Sequence, residues 1–381
     1  MRLLLVLAMT GSLWFLSCKN TDKSENQVSA DTNMAEYAKG FQISSAENGW
    51  RVTIKNPWQK AEGIDYTYHF YTRDSDYDAS EDSVYRSAKI QIPVDNIICL
   101  STTHIGFIDE LGELNSVKGI SGVNYVFHPQ LRKNIEQGKI PDVGYQQSLD
   151  YEQIMKLKPD LVLGYSISSV NVSYLNKLNE LNIPVLFIAE YLENHPLGKA
   201  EWIKVMGILF DKYDLAAERF NSVTDEYQET LDMVQGTSYP TVLTGMPWKD
   251  KWYVPGGNSF LARLIEDAGG KYIWDDNDLR RSKPMNLESV FTEAYDADIW
   301  IHPGNSIKYE EISNTDKRLE TFRAFKNEKV FNNNKRMNRF GGNDYWESGV
   351  IKPHIILKDM IKVFHPELLP GYEMVYYRKL E

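Results

Sequence analysis

The stretch Leu-Asp-Tyr-Glu-Gln-Ile-Met-Lys-Leu-Lys-Pro-Asp-Leu-Val-Leu, residues 149–163, carries the pattern from which the fold is predicted. Asp150 is a typical N-cap residue, and Glu152 follows it in the first turn of an expected short helix. Asp160 comes next, directly before an apolar run of the kind that forms a buried strand. A helix followed at once by a buried strand is the repeating unit of an α/β fold.

The same pattern occurs a second time in the other half of the chain. Asn286 stands at an N-cap position, Glu288 follows two residues later, and Asp298 precedes the strand-like run at 299–301. At 381 residues the chain also exceeds the usual size of one hydrophobic core. We therefore expect two lobes built on one plan, each with one glutamate at the start of a helix.

The overall composition is that of a folded protein that faces water. Hydrophobic residues make up 42% of the chain and charged residues 25%, and the net charge is -11. Surfaces that bind nucleic acid carry clustered Lys and Arg, so this acidic balance excludes nucleic acid as a partner.

The first residues are typical of an export signal. Arg2 precedes an apolar run that is too short for a mature transmembrane helix, so residues 1–17 are interpreted as a signal peptide. Cys18 follows a small residue at the end of this run, which resembles a bacterial lipobox and would make Cys18 the lipid-bearing first residue of the mature chain. An ordinary secretory signal with an incidental cysteine is the alternative. Residues 18–46 are polar and are predicted to be a lipidated flexible tether.

Apolar runs and helical patterns alternate through the rest of the chain. Residues 47–195 are assigned to an N-terminal α/β lobe and residues 239–381 to a C-terminal α/β lobe, each with a largely parallel sheet. Cys99 lies in an apolar stretch of the first lobe. It is predicted to be a buried residue without a disulfide partner.

Residues 196–238 are predicted to form a helical region between the lobes. From Ala216 to Val234, apolar residues recur at spacings of three and four, as on one face of a helix. Such a helix is about 28 Å long. It contains no Gly or Pro, so it should bend little and act as a spine that joins the lobes.

Motifs for catalysis or metal binding are missing from the sequence. Pro255-Gly256-Gly257-Asn258 lacks the Lys and Ser/Thr of a phosphate loop, and no Gly-x-Ser-x-Gly or Cys-x-x-Cys occurs. The seven histidines form no closely spaced pair of the kind that binds zinc or manganese. We therefore expect neither an enzyme nor a protein with its own metal or cofactor.

The order of several short motifs resembles one known family, the substrate-binding lipoproteins of ABC importers for iron complexes and cobalamin. The resemblance covers about residues 50–370. Each motif is weak alone, and their order and spacing carry the resemblance. The motifs are Ile97-Ile98-Cys99-Leu100-Ser101-Thr102-Thr103, Asp142-Val143-Gly144, the 149–163 stretch, Tyr253-Val254-Pro255-Gly256-Gly257, Asp267-Ala268-Gly269-Gly270, Asn286-Leu287-Glu288 and Ala297-Asp298-Ile299.

This resemblance implies two Rossmann-like α/β lobes joined by a single long helix, the class III periplasmic binding protein architecture, with the ligand between the lobes. It also implies that Glu152 and Glu288 dock into arginine pockets of the two permease subunits, because carboxylate and guanidinium groups pair in a fixed orientation. The alternative is that these glutamates only stabilise the starts of their helices.

Ligands of this class call for aromatic walls and a few positive groups. In this fold, loops at the ends of strands line the cleft, so the strand residue Trp300 is expected in the core instead. Ordinary packing or a solvated surface position is the alternative for each candidate. The predicted ligand-binding residues are Trp58, His104, Tyr125, Tyr145, Trp248, Trp252, Arg280, Arg339 and Trp346, with Arg281 and His128 also considered.

The sequence thus predicts a monomeric, lipid-anchored receptor on the periplasmic side of a bacterial membrane. It would capture a ferric siderophore or haem and deliver it to an ABC permease dimer. One alternative changes the ligand to cobalamin or another corrinoid. Another is a surface accessory lipoprotein that binds a ligand and never meets a permease.

Overall fold

A small sheet opens the folded part of the chain. The structure is a computed structural model, and it describes residues 33–46, 48–73, 87–145, 148–167 and 173–381. Strands β1 to β3 are antiparallel neighbours, and β4 runs parallel to β3. The strands are β1 (Phe41–Ala46), β2 (Gly49–Lys55), β3 (Asp65–Thr72) and β4 (Ser87–Ile92).

The residues just before β1 are held by two buried carboxylates. Glu201 accepts hydrogen bonds from three consecutive backbone N–H groups, those of residues 36–38, each at 2.8 Å. Glu193 accepts from the N–H groups of Lys39 and Gly40. The predicted tether is therefore wrong for residues 33–46, because acceptors more than 150 positions away satisfy this polar backbone. Cys18 and the predicted signal peptide lie outside the described residues.

The N-terminal lobe is built on a parallel sheet with the strand order β6-β5-β7-β8. Most strand residues are fully buried, which is why these runs contain few polar residues. Cys99 is a buried free thiol, as predicted. The strands are β5 (Ile97–Cys99), β6 (Val117–Ile120), β7 (Leu161–Gly164) and β8 (Val185–Phe187), and the helices are α1 (Thr103–Glu110), α2 (Pro129–Glu136), α3 (Tyr151–Leu157), α4 (Ser173–Glu180), α5 (Pro196–Ala200) and α6 (Ile203–Leu209).

The long helix α7 (Tyr213–Asp232) connects the two lobes. Its twenty residues span about 30 Å. Near its start, Phe220 packs edge-on against Tyr37 of the first lobe, with ring centroids 6.0 Å apart. Near its end, the hydroxyl of Tyr227 donates to Asp267 of the second lobe at 2.6 Å. The predicted α/β fold with one long interdomain helix is confirmed.

The C-terminal lobe has a five-stranded sheet, β12-β9-β14-β15-β16, and a small sheet, β10-β11-β13. Trp300 is fully buried in the larger sheet, as predicted. The strands are β9 (Thr241–Thr244), β10 (Pro247–Trp248), β11 (Lys251–Val254), β12 (Lys271–Tyr272), β13 (Lys283–Asn286), β14 (Ile299–Ile301), β15 (Val330–Asn332) and β16 (Arg378–Lys379), and the helices are α8 (Phe260–Asp267), α9 (Leu287–Ala294), α10 (Tyr309–Thr315), α11 (Arg323–Lys326), α12 (Asp344–Glu347) and α13 (Pro353–Phe364).

The aspartate of each repeated stretch anchors the start of the neighbouring strand. In the first lobe, Asp160 accepts hydrogen bonds from the N–H groups of Asp95 and Asn96, both at 2.8 Å. In the second lobe, Asp298 accepts from the N–H and hydroxyl of Thr241 at 2.9 and 2.8 Å. In both lobes, an aspartate that accepts hydrogen bonds from the start of the neighbouring strand thus fixes the edge of the sheet. Within the described residues, no helix is both long and apolar enough to cross a bilayer.

A candidate ligand cleft between the lobes

The carboxyl edge of the N-terminal sheet presents tyrosine side chains. Tyr125 follows β6, Tyr165 follows β7 and Tyr191 follows β8. Tyr145 lies beside Tyr125, and these two rings are 47% and 52% exposed, respectively. Gly122 makes this pairing feasible, since its φ is +70° and a Cβ there would lie 2.2 Å from the Tyr145 hydroxyl. Ligands of open α/β sheets bind beyond this edge.

The C-terminal lobe contributes two exposed tryptophans. Trp248 lies on the β10–β11 hairpin, is 63% exposed, and has its ring centroid 6.4 Å from that of Tyr253. Trp346 lies on α12, is 51% exposed, and packs edge-on against Tyr345.

A set of hydrogen bonds joins the lobes beyond the β6 edge of the N-terminal sheet. The carboxylate of Glu347, on α12, accepts from the backbone N–H groups of Phe127 and His128, both at 2.7 Å. The amide of Asn338 donates to the carbonyls of Asn124 and Val126 at 2.9 and 2.8 Å. We call these two side chains and their partners the clasp. Burial raises the pKa of Glu347 to about 8, against the lowering effect of the two N–H donors.

A pocket of about 1100 Å³ lies beyond the opposite, β8 edge of the sheet. The lobes also touch there, because Asn194 donates to the side chain of Asn258 at 2.9 Å. Lys199 lies 4.0 Å from the centroid of the Phe260 ring, and burial lowers its pKa. The lining comes from four segments, residues 39–40, 55–62, 191–194 and 255–282, of which the second lacks residue 57 and the last contributes only in part.

Five cations line this pocket, against three carboxylates. Among the carboxylates, Glu193 is buried and already accepts backbone hydrogen bonds, whereas Glu62 and Asp278 are exposed. We call this cavity the basic pocket. Its cations are Lys39, Lys55, Lys60, Arg280 and Arg281.

Of the residues predicted to bind ligand, Trp58 and Arg280 line the basic pocket. Trp58 is nevertheless only 5% exposed, because its ring packs against Phe187 with centroids 5.6 Å apart. Tyr125, Tyr145, Trp248 and Trp346 lie exposed near the edges described above, and Arg339 is exposed beside the ring of Phe340. For all of these residues, ligand contact stays a prediction.

The prediction for Trp252 is wrong. This side chain is fully buried, and its indole N–H donates to the Thr244 carbonyl at 2.9 Å. Its ring packs against Trp300 and Phe322, with centroids 5.9 and 6.1 Å apart. The alternation along β11 places Trp252 inward and Tyr253 outward, so Tyr253 was the better candidate.

The prediction for His104 is also wrong. The side chain is fully buried on α1, and neither ring nitrogen has a hydrogen-bond partner among the described residues. Burial lowers the pKa of His104 to about 3, so the ring is neutral at physiological pH. His128 instead lies 3.4 Å from the carboxylate of Asp109. No group of three or more potential metal ligands is found in the described part of the chain.

Sequence reasoning missed the three lysines of the basic pocket and Phe260. The lysines lie in or near the β1–β4 sheet, outside every motif that carried the family resemblance. Only their charge distinguished them, and lysines are common on surfaces.

The two glutamates predicted to dock a permease occupy matching positions. Glu152 is exposed in the first turn of α3, whose N-cap Asp150 accepts from the N–H of Gln153 at 2.9 Å. Glu288 is exposed in the first turn of α9, whose N-cap Asn286 accepts from the N–H of Ser289 at 2.7 Å. Nothing in the described residues tests the docking itself.

Comparison with known proteins identifies the family. A model of the periplasmic binding protein family matches residues 97–336, more than half of the chain. This chain belongs to the periplasmic binding protein family. It is a solute-binding protein and not an enzyme, as the sequence predicted. Members of the family bind a ligand and deliver it to an ABC permease.

Individual relatives of this periplasmic binding protein differ in what they are known to bind. An uncharacterized lipoprotein of Methanocaldococcus jannaschii is 29% identical, over 94% of this chain and 88% of its own. A periplasmic haem-binding protein of Pseudomonas aeruginosa is 14% identical, with a TM-score of 0.57 over 76% of this chain and 98% of its own. A periplasmic vitamin B12-binding protein of Vibrio cholerae is 14% identical, with a TM-score of 0.52 over 71% of this chain and 96% of its own. These two solved structures support the fold alone.

Proposed function

We propose that this periplasmic binding protein captures an iron complex, a ferric siderophore or haem, and delivers it to the permease of an ABC importer. The observation that carries the proposal is the basic pocket between the lobes, whose five cations have no carboxylate within 4.0 Å in the described part of the chain. The exposed rings of Tyr125 and Trp248 lie outside its lining and are proposed as further contacts. Tyr125 and Trp248 can cover flat or apolar parts of such a ligand, and Arg280 can pair with an anionic edge. The similarity to a haem-binding protein is consistent with this ligand class.

Direct titration tests the ligand. The purified protein is mixed with haemin, a panel of ferric siderophores and cobalamin, while visible spectra and tryptophan fluorescence are recorded. We expect saturable binding of at least one iron complex, weakened by Trp248→Ala. Tyr239→Ala is the control, since Tyr239 is an exposed ring that does not line the basic pocket. Binding of no iron complex overturns the proposal.

Cobalamin or another corrinoid is the second candidate ligand. It is kept because a protein with a similar fold binds vitamin B12. Tight cobalamin binding without binding of any iron complex would decide for it. A ligand-binding accessory lipoprotein that meets no permease is the third candidate, and the docking experiment below separates it from the other two.

Glu152 and Glu288 are proposed as the contacts with the permease. Both carboxylates are exposed at equivalent helix starts, one in each lobe, although Arg318 lies 3.8 Å from Glu288. Reversing both charges to Lys should abolish transport and leave ligand affinity unchanged. Glu229→Lys with Glu310→Lys makes the same change of charge at other exposed positions. Normal transport by the first double variant refutes the docking role.

Cys18 is proposed as the site of a lipid anchor that holds the protein on the outer side of the membrane. Cys18 lies outside the described residues, and support comes from the lipobox-like sequence and from a relative called a lipoprotein. Cys18→Ser should move the protein from the membrane fraction to the soluble fraction. An unchanged distribution, together with an unmodified Cys18 by mass spectrometry, contradicts the anchor.

A further inference from the structure

One wall of the basic pocket comes from a part of the chain that precedes the family match. The match begins at residue 97, whereas Lys39, Lys55 and Lys60 come from the segment before β1, from the end of β2 and from the loop that follows it. Trp58 lies in the same loop and anchors it by packing against Phe187 of β8. The β1–β4 sheet and the segments that flank it therefore add a cationic wall to a site between the lobes.

The opposite wall comes from the C-terminal lobe. Arg280 and Arg281 are both exposed on the segment between β12 and β13. Within the described part of the chain, none of the five cations has a carboxylate within 4.0 Å. Since three carboxylates share the lining with these five cations, the cavity carries a formal excess of two positive charges, and no close ion pair neutralises any of the cations.

The charge of this cavity is opposite to that of the protein. The chain as a whole carries a net charge of -11. Of the three carboxylates in the pocket lining, Glu193 already accepts hydrogen bonds from Lys39 N–H, Gly40 N–H and the indole of Trp202. Clustered cations between walls of lower polarity concentrate anions from solution.

We propose that the basic pocket selects anionic iron complexes, and that Lys60, in the loop after β2, and Arg280 of the C-terminal lobe contact the anionic groups from opposite walls. The inference rests on the proposed function, because it narrows the ligand class of that function. An anion held from both walls links the lobes through charge-assisted hydrogen bonds. Lys60 and Arg280 are then specificity-determining residues, and the β1–β4 sheet with its flanking loops is part of the binding site.

The experiment compares anionic with uncharged ligands in two pairs: haemin and its dimethyl ester differ mainly in charge, whereas ferric citrate and ferrichrome also differ in size and donor groups. Isothermal titration calorimetry is carried out with haemin and its dimethyl ester, with the ferric citrate complex and uncharged ferrichrome, and with metal-free citrate. The variants are Lys60→Gln with Arg280→Gln, and a control, Arg51→Gln with Lys271→Gln, which removes the same charge at exposed positions outside the pocket. Circular dichroism confirms that each variant is folded.

We expect the anionic member of a pair to bind more tightly than the uncharged member, and added salt to weaken only the anionic one. The pocket variant should lose about tenfold or more in affinity for the anionic ligand, and the control should lose little. Equal binding of charged and uncharged iron complexes, or an unaffected pocket variant, overturns the inference and leaves the proposed function intact. Binding of citrate but of no iron complex overturns the proposed function and leaves an anion site. Binding of none of these ligands overturns both.

Discussion

At the scale of single residues, burial decided which candidates can meet a ligand. His104 lies in the first turn of α1, shortly after the end of β5, yet its ring lies wholly inside the protein. Trp252 and Tyr253 are adjacent aromatic residues, and Trp252 is buried while Tyr253 is exposed because they point to opposite faces of β11. Whether a residue is polar or aromatic is therefore weak evidence that it contacts a ligand, because the direction of its side chain depends on packing across the lobe.

The buried His104 predicts a pH dependence of stability. An imidazole titrates near pH 6.5 in the unfolded chain, and its pKa falls to about 3 in the folded protein. Between these values only the unfolded chain binds the proton, so the free energy of unfolding should fall as pH decreases. The loss is about 1.4 kcal/mol for each pH unit below 6.5. Urea denaturation at about pH 7 and pH 5 measures it.

His104→Leu is the matched variant for this prediction. It removes the unpaired ring nitrogens, so we expect equal or higher stability at neutral pH and a smaller loss in acid. His354→Leu is the comparison variant. His354 lies 3.6 Å from the carboxylate of Glu226, so replacing it removes an ion-pair partner, whereas replacing His104 removes none. A wild-type slope retained in His104→Leu would show that other groups dominate the acid response.

At the scale of elements, the clasp connects α12 to the segment before α2. Glu347→Ala removes the acceptor for the Phe127 and His128 N–H groups and leaves those donors beneath α12. We expect the free energy of unfolding at neutral pH to fall by about 2 kcal/mol, since two backbone donors lose their acceptor and each hydrogen bond to an uncharged group contributes about 1 kcal/mol. Hydrogen exchange of these two amides should become faster. Glu310→Ala, at an exposed position, serves as the control.

The pKa of Glu347 gives the clasp its own pH dependence. Its folded pKa of about 8 lies above the ordinary value of 4.5, so the folded protein binds this proton more tightly. The corresponding stability is fully present below about pH 4.5 and is lost as pH rises toward 8. Glu347→Gln should flatten stability over this range. If the free energy of unfolding of Glu347→Gln depended on pH between about 4.5 and 8 as in the wild type, the raised pKa assigned to Glu347 would be contradicted.

At the scale of the whole molecule, the structured chain begins before β1. Glu201 and Glu193 are buried acceptors for the backbone of residues 36–40. A chain that begins at Phe41 leaves both carboxylates without these donors, whereas a chain that begins at Asn33 keeps them. We expect the shorter chain to be less stable by at least about 4 kcal/mol, because several charge-assisted hydrogen bonds are lost together.

Thermal and urea denaturation of these two chains measure the difference. A third chain that begins at Phe41 and carries only Glu193→Gln should recover part of the lost stability, since it no longer buries that carboxylate without its backbone donors; Glu201 is left unchanged because it still pairs with Lys204 at 2.8 Å. Equal stability of the Asn33 and Phe41 chains would show that the N-terminal residues contribute nothing to the fold.

Local pattern in the sequence determined the fold class, the spine and the repeated helix starts. Helical spacing, N-cap residues and apolar runs act over a few residues, so α7, Asp150 and Asn286 could be identified before any tertiary contact was known. The two aspartates before the strands were visible in the same way, although their bonds to residues 95–96 and to Thr241 were not.

Tertiary structure alone decided the start of the folded chain and the composition of the basic pocket. The pocket brings Lys60 and Arg280 together although 220 positions separate them in sequence, and no local pattern encodes that distance. The same holds for Glu201 and the backbone of Tyr37, 164 positions apart. Ligand sites and domain boundaries depend on such long-range packing, whereas helices and strands are specified largely by neighbours along the chain.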